Sequence, residues 1–405
     1  MWQKIKNYYH LVQALTAAIF FNFPSKKLIV IGVTGTDGKT TTVNMIYHIL
    51  KSSGKKVSMI SSVNAQIGPK TYDTGFHVTT PGPWQIQKYL RKAQDALSQY
   101  FVLEATSHSL DQNRLALVYF RAGVITNITH EHLDYHKTWE NYANAKSKLL
   151  RNVQISVLNK DDKGSYNFLK NRTEGKIITY SLKNNSQVNL KNFPVKLKIP
   201  GDYNLSNSLA AAAVCSAFGI DKKTILGALA NFGGVTGRLE EVNLGQDFKV
   251  IVDFAHTPNG LENALKALSS QLTVHGSQLI AVFGAAGLRD RAKRQLMGKV
   301  AAQFADLSVL TAEDPRTENV NDIIDEVAKG FTSKGKKEGK DFFKVANRGQ
   351  AIEFAITKLA KKGDIVATFG KSHEKSMAYG KKETPWDEFE VTRKAIQRRL
   401  SSKRR

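Results

Sequence analysis

A glycine-rich turn followed by a lysine and three threonines is the segment of this sequence best suited to chemistry. It reads Gly32-Val-Thr-Gly-Thr-Asp-Gly-Lys-Thr-Thr-Thr42, follows an apolar β-branched run and precedes an amphipathic helical pattern. In such a turn the backbone N–H groups face an anion, and the start of the helix adds the positive end of its dipole. Lys39 can reach the outer phosphates, and the Thr40 hydroxyl can bind Mg²⁺. The segment therefore predicts a phosphate-binding loop for ATP.

The spacing of the glycines is a variant of the common phosphate loop. The common form would place glycine at Val33, whereas here the glycines are Gly32, Gly35 and Gly38. An ordinary strand–turn–helix connection is the alternative interpretation. The combination of strand, Gly-Lys-Thr and amphipathic helix favours the phosphate loop.

Further groups able to bind a metal follow in the first half. Glu104 ends a strand pattern, and a carboxylate at the carboxyl end of a strand beside a phosphate loop is suited to bind a metal. Three histidines lie in residues 126–136. His130 and His132 have a spacing seen in zinc sites, but third and fourth ligands are not evident, so a histidine near the cation of an ATP site is favoured. Lys146, taken alone, has the features of a surface lysine.

In the second half, polar groups follow four strand patterns. They lie in Val252–Pro258, Phe283–Arg291, Thr311–Glu318 and Phe369–Glu374. Polar residues gathered at the carboxyl ends of strands are typical of the crevice of a doubly wound fold. Any one of them could be a plain turn, but four together favour a binding crevice.

The amino-acid composition limits the classes of protein to which this chain can belong. The 405 residues suffice for two or three domains, and apolar and charged fractions of 41% and 23% are those of a globular protein. No apolar run is long enough to span a membrane. The single cysteine, Cys215, excludes a disulfide within the chain and favours a reducing, cytoplasmic setting; it is predicted to be a small core residue.

The net charge of +24 raises the question whether the protein binds nucleic acid. The basic residues are scattered, and aromatic residues are not interleaved with them as they are where single strands stack. We therefore expect no nucleic-acid partner and attribute the charge to polyanionic small substrates or to a general lysine enrichment. The densest cluster, residues 398–405, is expected to be a solvated, frayed tail.

Strand and helix patterns alternate along the chain, which predicts an α/β protein with mainly parallel sheets and helices on both faces. We expect a P-loop-type ATPase domain followed by a smaller Rossmann-like α/β domain. Residues 182–197 suggest a small β excursion. The predicted divisions are an N-terminal helical extension over 1–27, an ATP-binding domain over 28–234 and a C-terminal domain with a basic tail over 235–405.

The N-terminal segment holds an apolar stretch from Leu11 to Phe23. It lacks a small-residue cleavage site and leads directly into Pro24 and the first strand, so a signal peptide is not favoured. The stretch is predicted to be a docking helix, with contact to a membrane surface as the alternative.

Taken together, these motifs resemble those of the Mur ligase family, the ATP-dependent amide-bond-forming enzymes of peptidoglycan synthesis, and within it the tripeptide-synthetase branch. The resemblance covers roughly residues 28–395 and keeps the family's order of motifs. The matching segments are Thr34-Gly-Thr-Asp-Gly-Lys-Thr-Thr41, Thr79-Thr-Pro81, Ser107-His-Ser-Leu-Asp-Gln-Asn-Arg114, His132-Leu-Asp-Tyr-His136, Gly237-Arg-Leu-Glu240, Asp253-Phe-Ala-His-Thr-Pro258 and Asp314-Pro-Arg316.

The resemblance implies that ATP phosphorylates a carboxylate of a muramoyl-peptide acceptor and that the amine of an amino acid attacks the acyl phosphate. Charge neutralisation then matters more than a strong base. Lys39, His132 and Lys146 are the implied catalytic residues, and Lys146 matches a lysine that family members carry carbamylated. The implied Mg²⁺ ligands are Thr40, Glu104, His132 and Lys146. The implied ATP-binding residues are Gly35, Thr36, Asp37, Gly38, Lys39, Thr40, Thr41, Asn204, Arg238 and Asp253.

The resemblance also implies which residues bind the two other substrates. Thr79, Thr80, Thr106, Gln112 and Arg114 match positions that hold the muramoyl-peptide. Arg289, Glu313, Asp314, Arg316, Gly370 and Glu374 match positions that contact the amino acid. In the family, Asp-Asn-Pro-Arg accompanies meso-diaminopimelate, because a bidentate arginine suits its distal carboxylate. Here the motif is Glu313-Asp314-Pro315-Arg316, and the retained arginine favours diaminopimelate over lysine.

The largest departure from the family lies at the front of the sequence. About thirty residues precede the phosphate loop here, whereas family members usually have about a hundred that grip the uridine nucleotide. We therefore expect weaker recognition of that nucleotide. The alternatives left open are a Mur-like ligase with a different acceptor and a catalytically weak scaffold subunit.

Overall fold

The computed structural model describes residues 2–72, 79–129 and 131–402. The chain divides into two compact units, Met1–Gly233 and Gly234–Arg405. None of the helices in the described ranges is long and apolar enough to cross a lipid bilayer.

The first unit is built on one sheet of eight strands in the order β4-β3-β2-β5-β1-β6-β7-β8. In chain order the strands are β1 (Ile29–Thr34), β2 (Val57–Ile60), β3 (Ala65–Ile67), β4 (Lys70–Tyr72), β5 (Tyr100–Glu104), β6 (Phe120–Ile125), β7 (Ile155–Asn159) and β8 (Lys176–Tyr180). All pairs are parallel except those that join β2, β3 and β4. The prediction of a mainly parallel sheet is therefore confirmed for this unit.

Helices precede, connect and follow these strands in the first unit. They are α1 (Trp2–Phe20), α2 (Lys39–Ser52), α3 (Pro83–Asp95), α4 (Ser107–Asp111), α5 (Leu133–His136), α6 (Trp139–Ser147), α7 (Lys163–Leu169), α8 (Asp202–Ala217) and α9 (Lys222–Ala230). Short 3₁₀ turns lie at Pro24–Lys27 and Lys148–Leu150. Cys215, on α8, is fully buried, as predicted for a core residue.

The central position of β1 determines where the phosphate loop lies. The strand pairs in parallel with β5 on one side and with β6 on the other, and all but its first residue are buried. A side chain at Gly32 would meet Leu149 and Phe120 at less than 3 Å, which explains why glycine is needed within this strand. The loop after β1 consequently leaves the sheet at its middle, at the carboxyl edge of the parallel strands.

The second unit has a six-stranded sheet in the order β13-β12-β11-β14-β10-β9 and a separate hairpin of β15 and β16. The strands are β9 (Glu240–Glu241), β10 (Lys249–Asp253), β11 (Leu279–Phe283), β12 (Leu307–Leu310), β13 (Phe342–Lys344), β14 (Ile365–Phe369), β15 (Ser376–Tyr379) and β16 (Lys382–Pro385). The helices are α10 (Pro258–Ser269), α11 (Ala292–Phe304), α12 (Val320–Thr332), α13 (Arg348–Phe354) and α14 (Glu388–Ser402), and a π-helical turn at Ala355–Leu359 extends α13.

Two separate apolar cores cover the faces of this second sheet. One is formed by strand residues with α10, α11 and α12, including Leu265, Met297 and Phe331. The other joins strand residues to α13 and α14, including Ile352 and Ile396. Helices therefore pack on both faces, which is the layered α/β arrangement that the alternating pattern predicts.

Two expectations about irregular segments are wrong. Residues 182–197 contain a single β-bridge, between Val188 and Tyr180, instead of a β excursion. The carboxylate of Asp161 organises the start of this segment by accepting hydrogen bonds from the Leu182 N–H and the Asn184 side chain. Polar side chains thus satisfy backbone groups that a strand would have paired.

The basic tail is also different from the expected frayed segment over the part that is described. Helix α14 continues to Ser402, and the Arg399 guanidinium donates to the carbonyls of Thr357 and Ala360 at 2.7 and 2.8 Å. These carbonyls lie at the end of the π-helical turn, where carbonyl groups lack helical partners. Arg399 therefore caps a neighbouring helix, while residues 403–405 lie outside the described ranges.

A buried ion pair between Arg348 and Glu388 joins α13 to α14. Neither side chain is exposed, and the Arg348 Nε donates to the Glu388 carboxylate at 2.8 Å. The guanidinium also donates to the Phe369 carbonyl at the end of β14, and the Trp386 indole donates to Glu388. The pair thus holds α14 to the carboxyl edge of the second sheet.

Glu388→Gln is expected to lower the free energy of unfolding of the second unit by about 3–5 kcal/mol, because it leaves a buried guanidinium without its counter-charge. Glu390→Gln is the matched control on the same helix. Glu390 pairs with Lys394 in solvent, so its loss should cost less than about 1 kcal/mol. Urea denaturation of the full chain measures both; equal effects of the two substitutions would contradict the importance of the buried pair.

Candidate functional site

The phosphate loop spans residues 35–38, between the end of β1 at Thr34 and the start of α2 at Lys39. Gly38 has a φ of 82°, a left-handed conformation that glycine adopts without strain. A Cβ at Gly38 would also meet the Asn207 Oδ1 at 2.2 Å. The glycine is needed for both reasons, and it directs the first N–H groups of α2 into the turn.

The loop is held by Thr126 and Asn127, the two residues that directly follow strand β6. The Thr126 hydroxyl and the Asn127 side-chain amide both donate to the Asp37 carbonyl, at 2.6 and 3.1 Å. The Asp37 N–H donates to the Asn127 Oδ1 at 3.0 Å, and the Thr36 N–H donates to the Asn127 carbonyl at 2.8 Å. The loop is therefore preorganised by β6 before any anion binds.

Lys39 is the first residue of α2 and is only partly buried. Its Nζ donates to the Thr36 carbonyl at 2.8 Å, which folds the side chain back over the loop. A lysine held in this way places a positive charge beside the concave face where phosphate oxygens would lie. The role of Lys39 in binding ATP stays a prediction.

Three oxygen-bearing side chains gather next to the loop. The Thr40 hydroxyl lies 3.1 Å from a Glu104 carboxylate oxygen and 2.8 Å from the Ser62 hydroxyl. The Ser62 N–H donates to the other Glu104 oxygen at 2.8 Å, and Glu104 is almost fully buried at the end of β5. Hydroxyl and carboxylate oxygens are the donors that Mg²⁺ prefers, so the side chains fit this cation.

The environment of Lys146 differs from that of a surface lysine, so that part of the sequence interpretation is wrong. The side chain is almost fully buried on α6, and its Nζ donates to the Gly35 carbonyl at 2.6 Å. Its ammonium also lies 4.5 Å from the centre of the Tyr142 ring. Burial, and secondarily the charge of Lys39, lowers the pKa of Lys146 well below its ordinary value. Lys146 is therefore directly attached to the phosphate loop.

Histidine and tyrosine rings from α4, α5 and α6 form a second group in this unit. His132, which has a φ of 56°, packs edge-on against His108 with ring centroids 4.9 Å apart. The His136 ring donates to or accepts from the Ser107 hydroxyl at 3.0 Å, and burial lowers the pKa of His136 to about 4. His130 lies outside the described residues. In the described ranges, His, Cys, Asp and Glu side chains do not gather in threes to hold a metal ion.

The predicted acceptor-binding residues meet at the carboxyl end of β5. The Thr80 hydroxyl donates to the Glu104 carbonyl at 3.0 Å, and it accepts from the Thr106 N–H at 3.1 Å. The Arg114 guanidinium donates to the Thr80 carbonyl at 3.0 Å, and its Nε is buried without a partner. Thr79 is partly exposed beside this group. The structure thus brings Thr79, Thr80, Thr106 and Arg114 next to the strand that carries Glu104.

Gln112 is linked to the same region through the histidine group. Its side-chain amide lies 3.5 Å from the Tyr135 hydroxyl, which donates to Asp111 at 2.9 Å. Burial, together with the Asp111 carboxylate, raises the pKa of Tyr135 to about 12. The hydroxyl therefore remains protonated and able to donate at neutral pH.

Asn204 and Thr41 lie within helices of the first unit. Asn204 is buried near the start of α8, where its amide donates to the Pro200 carbonyl at 2.6 Å. One turn further along α8, the Asn207 side chain touches Gly38. Thr41 is buried on α2, directly after Thr40. Helix α8 therefore lies against the phosphate loop at Gly38.

In the second unit, Asp253 ends β10 and is nearly fully buried. Its two carboxylate oxygens accept hydrogen bonds from the N–H groups of Ala255 and Leu239, at 2.7 and 2.8 Å. Burial raises the pKa of Asp253, although the nearby Arg238 guanidinium opposes the shift. Arg238 lies over the Phe254 ring at 4.8 Å. The carboxylate thus fixes the turn on which Arg238 is carried.

Two of the predicted amino-acid-binding residues, Asp314 and Glu374, contact Lys371 in the same unit. The Lys371 side chain is fully buried and its Nζ donates to Asp314 at 2.8 Å and to Glu374 at 2.5 Å. The Glu313 carboxyl lies against Gly370, where any Cβ would meet its Oε2 at 2.4 Å. That Oε2 is buried without a partner, and burial raises the pKa of Glu313 to about 7.

The two predicted arginines of this group differ in their settings. Arg316 has a φ of 53°, and its guanidinium donates to the Gly287 carbonyl while its backbone pairs with Ala378. It is therefore fixed between the turn after β11 and strand β15. Arg289 lies on the same turn after β11 but is exposed. The structure holds Arg316 in place and leaves Arg289 on the surface.

Sequence reasoning did not single out Ser62, Asn127 or Lys371. Ser62 follows β2, the strand beside β5, so its place at a strand end could have indicated a role. Asn127 lies inside the histidine-rich segment, where the histidines drew attention instead. Lys371 lies in the Gly370–Glu374 motif, but its burial between two carboxylates is a tertiary property.

Comparison with known proteins identifies the family. Residues 33–215 match the family model described as Mur ligase middle domain, and residues 237–372 match Mur ligase, glutamate ligase domain. A UDP-N-acetylmuramoyl-L-alanyl-D-glutamate--2,6-diaminopimelate ligase of Clostridium acetobutylicum is 37% identical, over 95% of this chain and 81% of that protein. A UDP-N-acetylmuramyl-tripeptide synthetase of Borreliella burgdorferi is 40% identical, over 93% and 78%.

A solved structure agrees with this result. The structure of a UDP-N-acetylmuramoyl-L-alanyl-D-glutamate--2,6-diaminopimelate ligase superposes with a TM-score of 0.60 and 30% identity, over 92% of this chain and 79% of that one. The two domain matches and the identity to full-length relatives agree with the motifs found in the sequence. The chain belongs to the Mur ligase family.

Proposed function

We propose that the chain is an ATP-dependent ligase that joins meso-diaminopimelate to a muramoyl-L-alanyl-D-glutamate acceptor through an acyl phosphate. The observation that carries the proposal is the preorganised phosphate loop, with Lys39 folded over it and Glu104 beside Thr40. The acceptor-binding residues at Thr80 are hydrogen-bonded to the strand that ends in Glu104. Phosphate-binding and acceptor-binding groups therefore share one sheet edge.

The first chemical step forms a mixed anhydride. A carboxylate oxygen of the acceptor attacks the γ-phosphorus of ATP, and the bond to the leaving ADP oxygen breaks. Lys39 and the N–H groups at the start of α2 would neutralise charge on the phosphoryl oxygens as it develops. The Arg114 guanidinium and the hydroxyls of Thr80 and Thr106 would hold the muramoyl-peptide beside the loop.

Mg²⁺ would be held by Thr40, Glu104 and, by resemblance, His132 and Lys146. When bound, it neutralises phosphate charge and orients the phosphoryl group. Glu104 has its oxygens fixed by the Ser62 N–H and hydroxyl, so the carboxylate is already oriented.

The second step uses the amine of the incoming amino acid. The amine attacks the acyl carbon, a tetrahedral intermediate forms, and inorganic phosphate leaves as the amine loses a proton. The residues proposed to hold the amino acid are those around Lys371, with Arg316 for its distal carboxylate. Arg238, Asp253 and Asn204 are proposed to contact the nucleotide by their match to family positions.

The assay that tests the proposed function measures phosphate release and the mass of the product. ATP, Mg²⁺ and the UDP-linked muramoyl-dipeptide are supplied with meso-diaminopimelate, L-lysine, L-ornithine or no amino acid. We expect release to require both acceptor and amino acid and to be fastest with diaminopimelate. Phosphate release that does not depend on the acceptor would contradict the ligase proposal, and a preference for lysine would contradict only the choice of amino acid.

Lys146 is proposed to carry a carbamate, formed when its amine attacks CO₂ and loses a proton. The modification would turn a buried amine next to the loop into an anionic oxygen ligand. We expect a carbon-13 carbamate signal from protein supplied with labelled bicarbonate, and we expect it to vanish in Lys146→Arg. Lys146→Ala should lose ligation, and a short-chain carboxylic acid should partly restore it.

The control for this prediction is Lys170→Ala, which removes an exposed lysine at the end of α7. It should leave both the signal and the activity unchanged. An unmodified Lys146 in active, metal-loaded protein would contradict the carbamate proposal and leave the ligase proposal intact.

A further inference from the structure

Helix α1 presents a broad apolar face to solvent. Eight of its large apolar side chains are 39–72% exposed, which is unusual for a single helix that also packs on a domain. They are Ile5, Tyr8, Tyr9, Leu11, Val12, Leu15, Ile19 and Phe20. We call this set the α1 face.

The α1 face covers much of the circumference of the helix. At about 100° per residue its members span an arc of roughly 180°, from Leu11 to Phe20. The opposite side of the helix is narrower and carries small side chains, since Ala14, Ala17 and Ala18 are buried there against the domain. The helix is therefore attached by its alanines, and its large side chains point away from the core.

Aromatic residues extend the face onto α3. The Trp84 ring, 42% exposed at the start of α3, lies 5.6 Å from the Phe20 ring and 6.1 Å from the Phe21 ring. Together with Tyr8 and Tyr9, these rings give the patch the composition of segments that lie at a membrane–water boundary.

The sequence segment that carries the α1 face has charge of one sign only. The first 36 residues contain four lysines and no aspartate or glutamate. Lys6, Lys26 and Lys27 are exposed, and Lys88 is exposed one turn after Trp84 on α3. The whole chain carries a net charge of +24. A negatively charged surface is thus the electrostatic complement of this region.

We propose that the α1 face docks the protein on an anionic lipid surface, with α1 lying in the plane of the headgroups. Apolar side chains would enter the boundary of the acyl chains while the neighbouring lysines contact anionic headgroups. Packing against a second copy of α1 would bury only a seam narrower than the exposed arc of the α1 face. It would also bring together two chains that both carry a strong positive charge. The arc and the charge therefore both favour the lipid surface. This inference does not depend on the proposed ligase activity.

The test measures co-sedimentation of the full chain with lipid vesicles at low and high salt. One set is an equimolar mixture of phosphatidylcholine and phosphatidylglycerol, and the other is phosphatidylcholine alone. We expect binding to the anionic vesicles that weakens as salt rises, because the lysine contribution is screened. The variant Ile5→Ser/Val12→Ser/Ile19→Ser should bind those vesicles weaker by about 10-fold or more, because buried apolar area is lost.

A matched control removes three exposed apolar side chains from the second unit. Leu244, Val274 and Leu296 are 39–54% exposed, so Leu244→Ser/Val274→Ser/Leu296→Ser changes composition equally. It should bind vesicles like the parent, and both triple variants should keep the parent's circular dichroism. Sedimentation velocity of parent and variants without lipid reports self-association.

Three results would overturn the proposal. They are no binding of the parent to anionic vesicles, equal losses in the two triple variants, and a dimer that dissociates in the α1 variant without any vesicle binding. The last result would assign the face to a second copy of the chain.

Discussion

Lys39→Ala is expected to reduce ATP-dependent ligation by about 10²–10³-fold or more while leaving the fold intact. The Lys39 ammonium is placed over the phosphate loop by its hydrogen bond to the Thr36 carbonyl. Alanine keeps the helix start, because it has a high helix propensity, but it removes the charge that would neutralise the developing phosphoryl charge. Phosphate release with saturating acceptor and amino acid measures the effect.

The control for this prediction is Lys51→Ala, which removes an exposed lysine from the other end of α2. It should leave the rate within about two-fold of the parent, as expected for a solvated charge distant from the loop. Circular dichroism and thermal unfolding should be similar for both variants. If Lys39→Ala kept a rate close to that of the parent, the assignment of this loop to ATP would be wrong.

Arg316→Ala is expected to raise the Michaelis constant for meso-diaminopimelate by about 30-fold or more and to leave that for ATP almost unchanged. Loss of a desolvated arginine–carboxylate pair costs on the order of 2–5 kcal/mol. The residue has a left-handed backbone conformation, but arginine and alanine both carry a Cβ, so the substitution adds little backbone strain. Steady-state kinetics with each substrate varied in turn separates the two constants.

Two further variants sharpen this test. Arg316→Lys keeps the positive charge but loses the planar guanidinium group that can bind a carboxylate through two hydrogen bonds. The Michaelis constant of this variant for diaminopimelate should therefore lie between those of the parent and Arg316→Ala. Arg393→Ala removes an exposed arginine from α14 and should change neither constant. Unchanged diaminopimelate affinity in Arg316→Ala would refute the selectivity argument without affecting the ligase proposal.

Local pattern accounts for the parts of the fold that sequence predicted well. The sequence patterns predict strands at Tyr100–Glu104, Ile155–Asn159, Lys249–Asp253 and Leu279–Phe283, and strands β5, β7, β10 and β11 have these bounds. Runs of β-branched residues flanked by helical periodicity reflect burial on both faces of a parallel sheet, so the sequence itself carries the signal. The phosphate loop is predictable for the same reason, because its glycines and its helix start are contiguous.

Side-chain neighbours across the sheet were not predictable in this way. The pairing of Ser62 with Glu104 depends on β2 lying beside β5, and the support of Asp37 by Asn127 depends on β6 lying beside β1. Strand order is a consequence of the whole chain. The sequence indicated that polar groups end these strands, while their mutual contacts follow from the order of strands in space.

Burial of charge was the property that sequence reasoning judged least well. From the sequence alone, Lys146 is expected on the surface of a short helix, yet α6 places its side chain against the Gly35 carbonyl. Lys371 is buried because two carboxylates, one of them 57 positions distant, converge on it. Arg399 is bound to the carbonyls of another helix end instead of lying in a frayed tail. Each side chain is stabilised by partners that only tertiary structure brings near.

By itself, the sequence determined the fold class, the phosphate loop, the family and the residues that resemble its site, because these depend on contiguous motifs and on periodicity. Tertiary structure alone decided which side chains fix the loop, which charges are buried, and that α1 exposes its large apolar residues and buries its alanines. The reason is physical. A helical apolar pattern is the same whether its wide face is covered or open, and only the packing of α1 on the domain selects the face that solvent reaches.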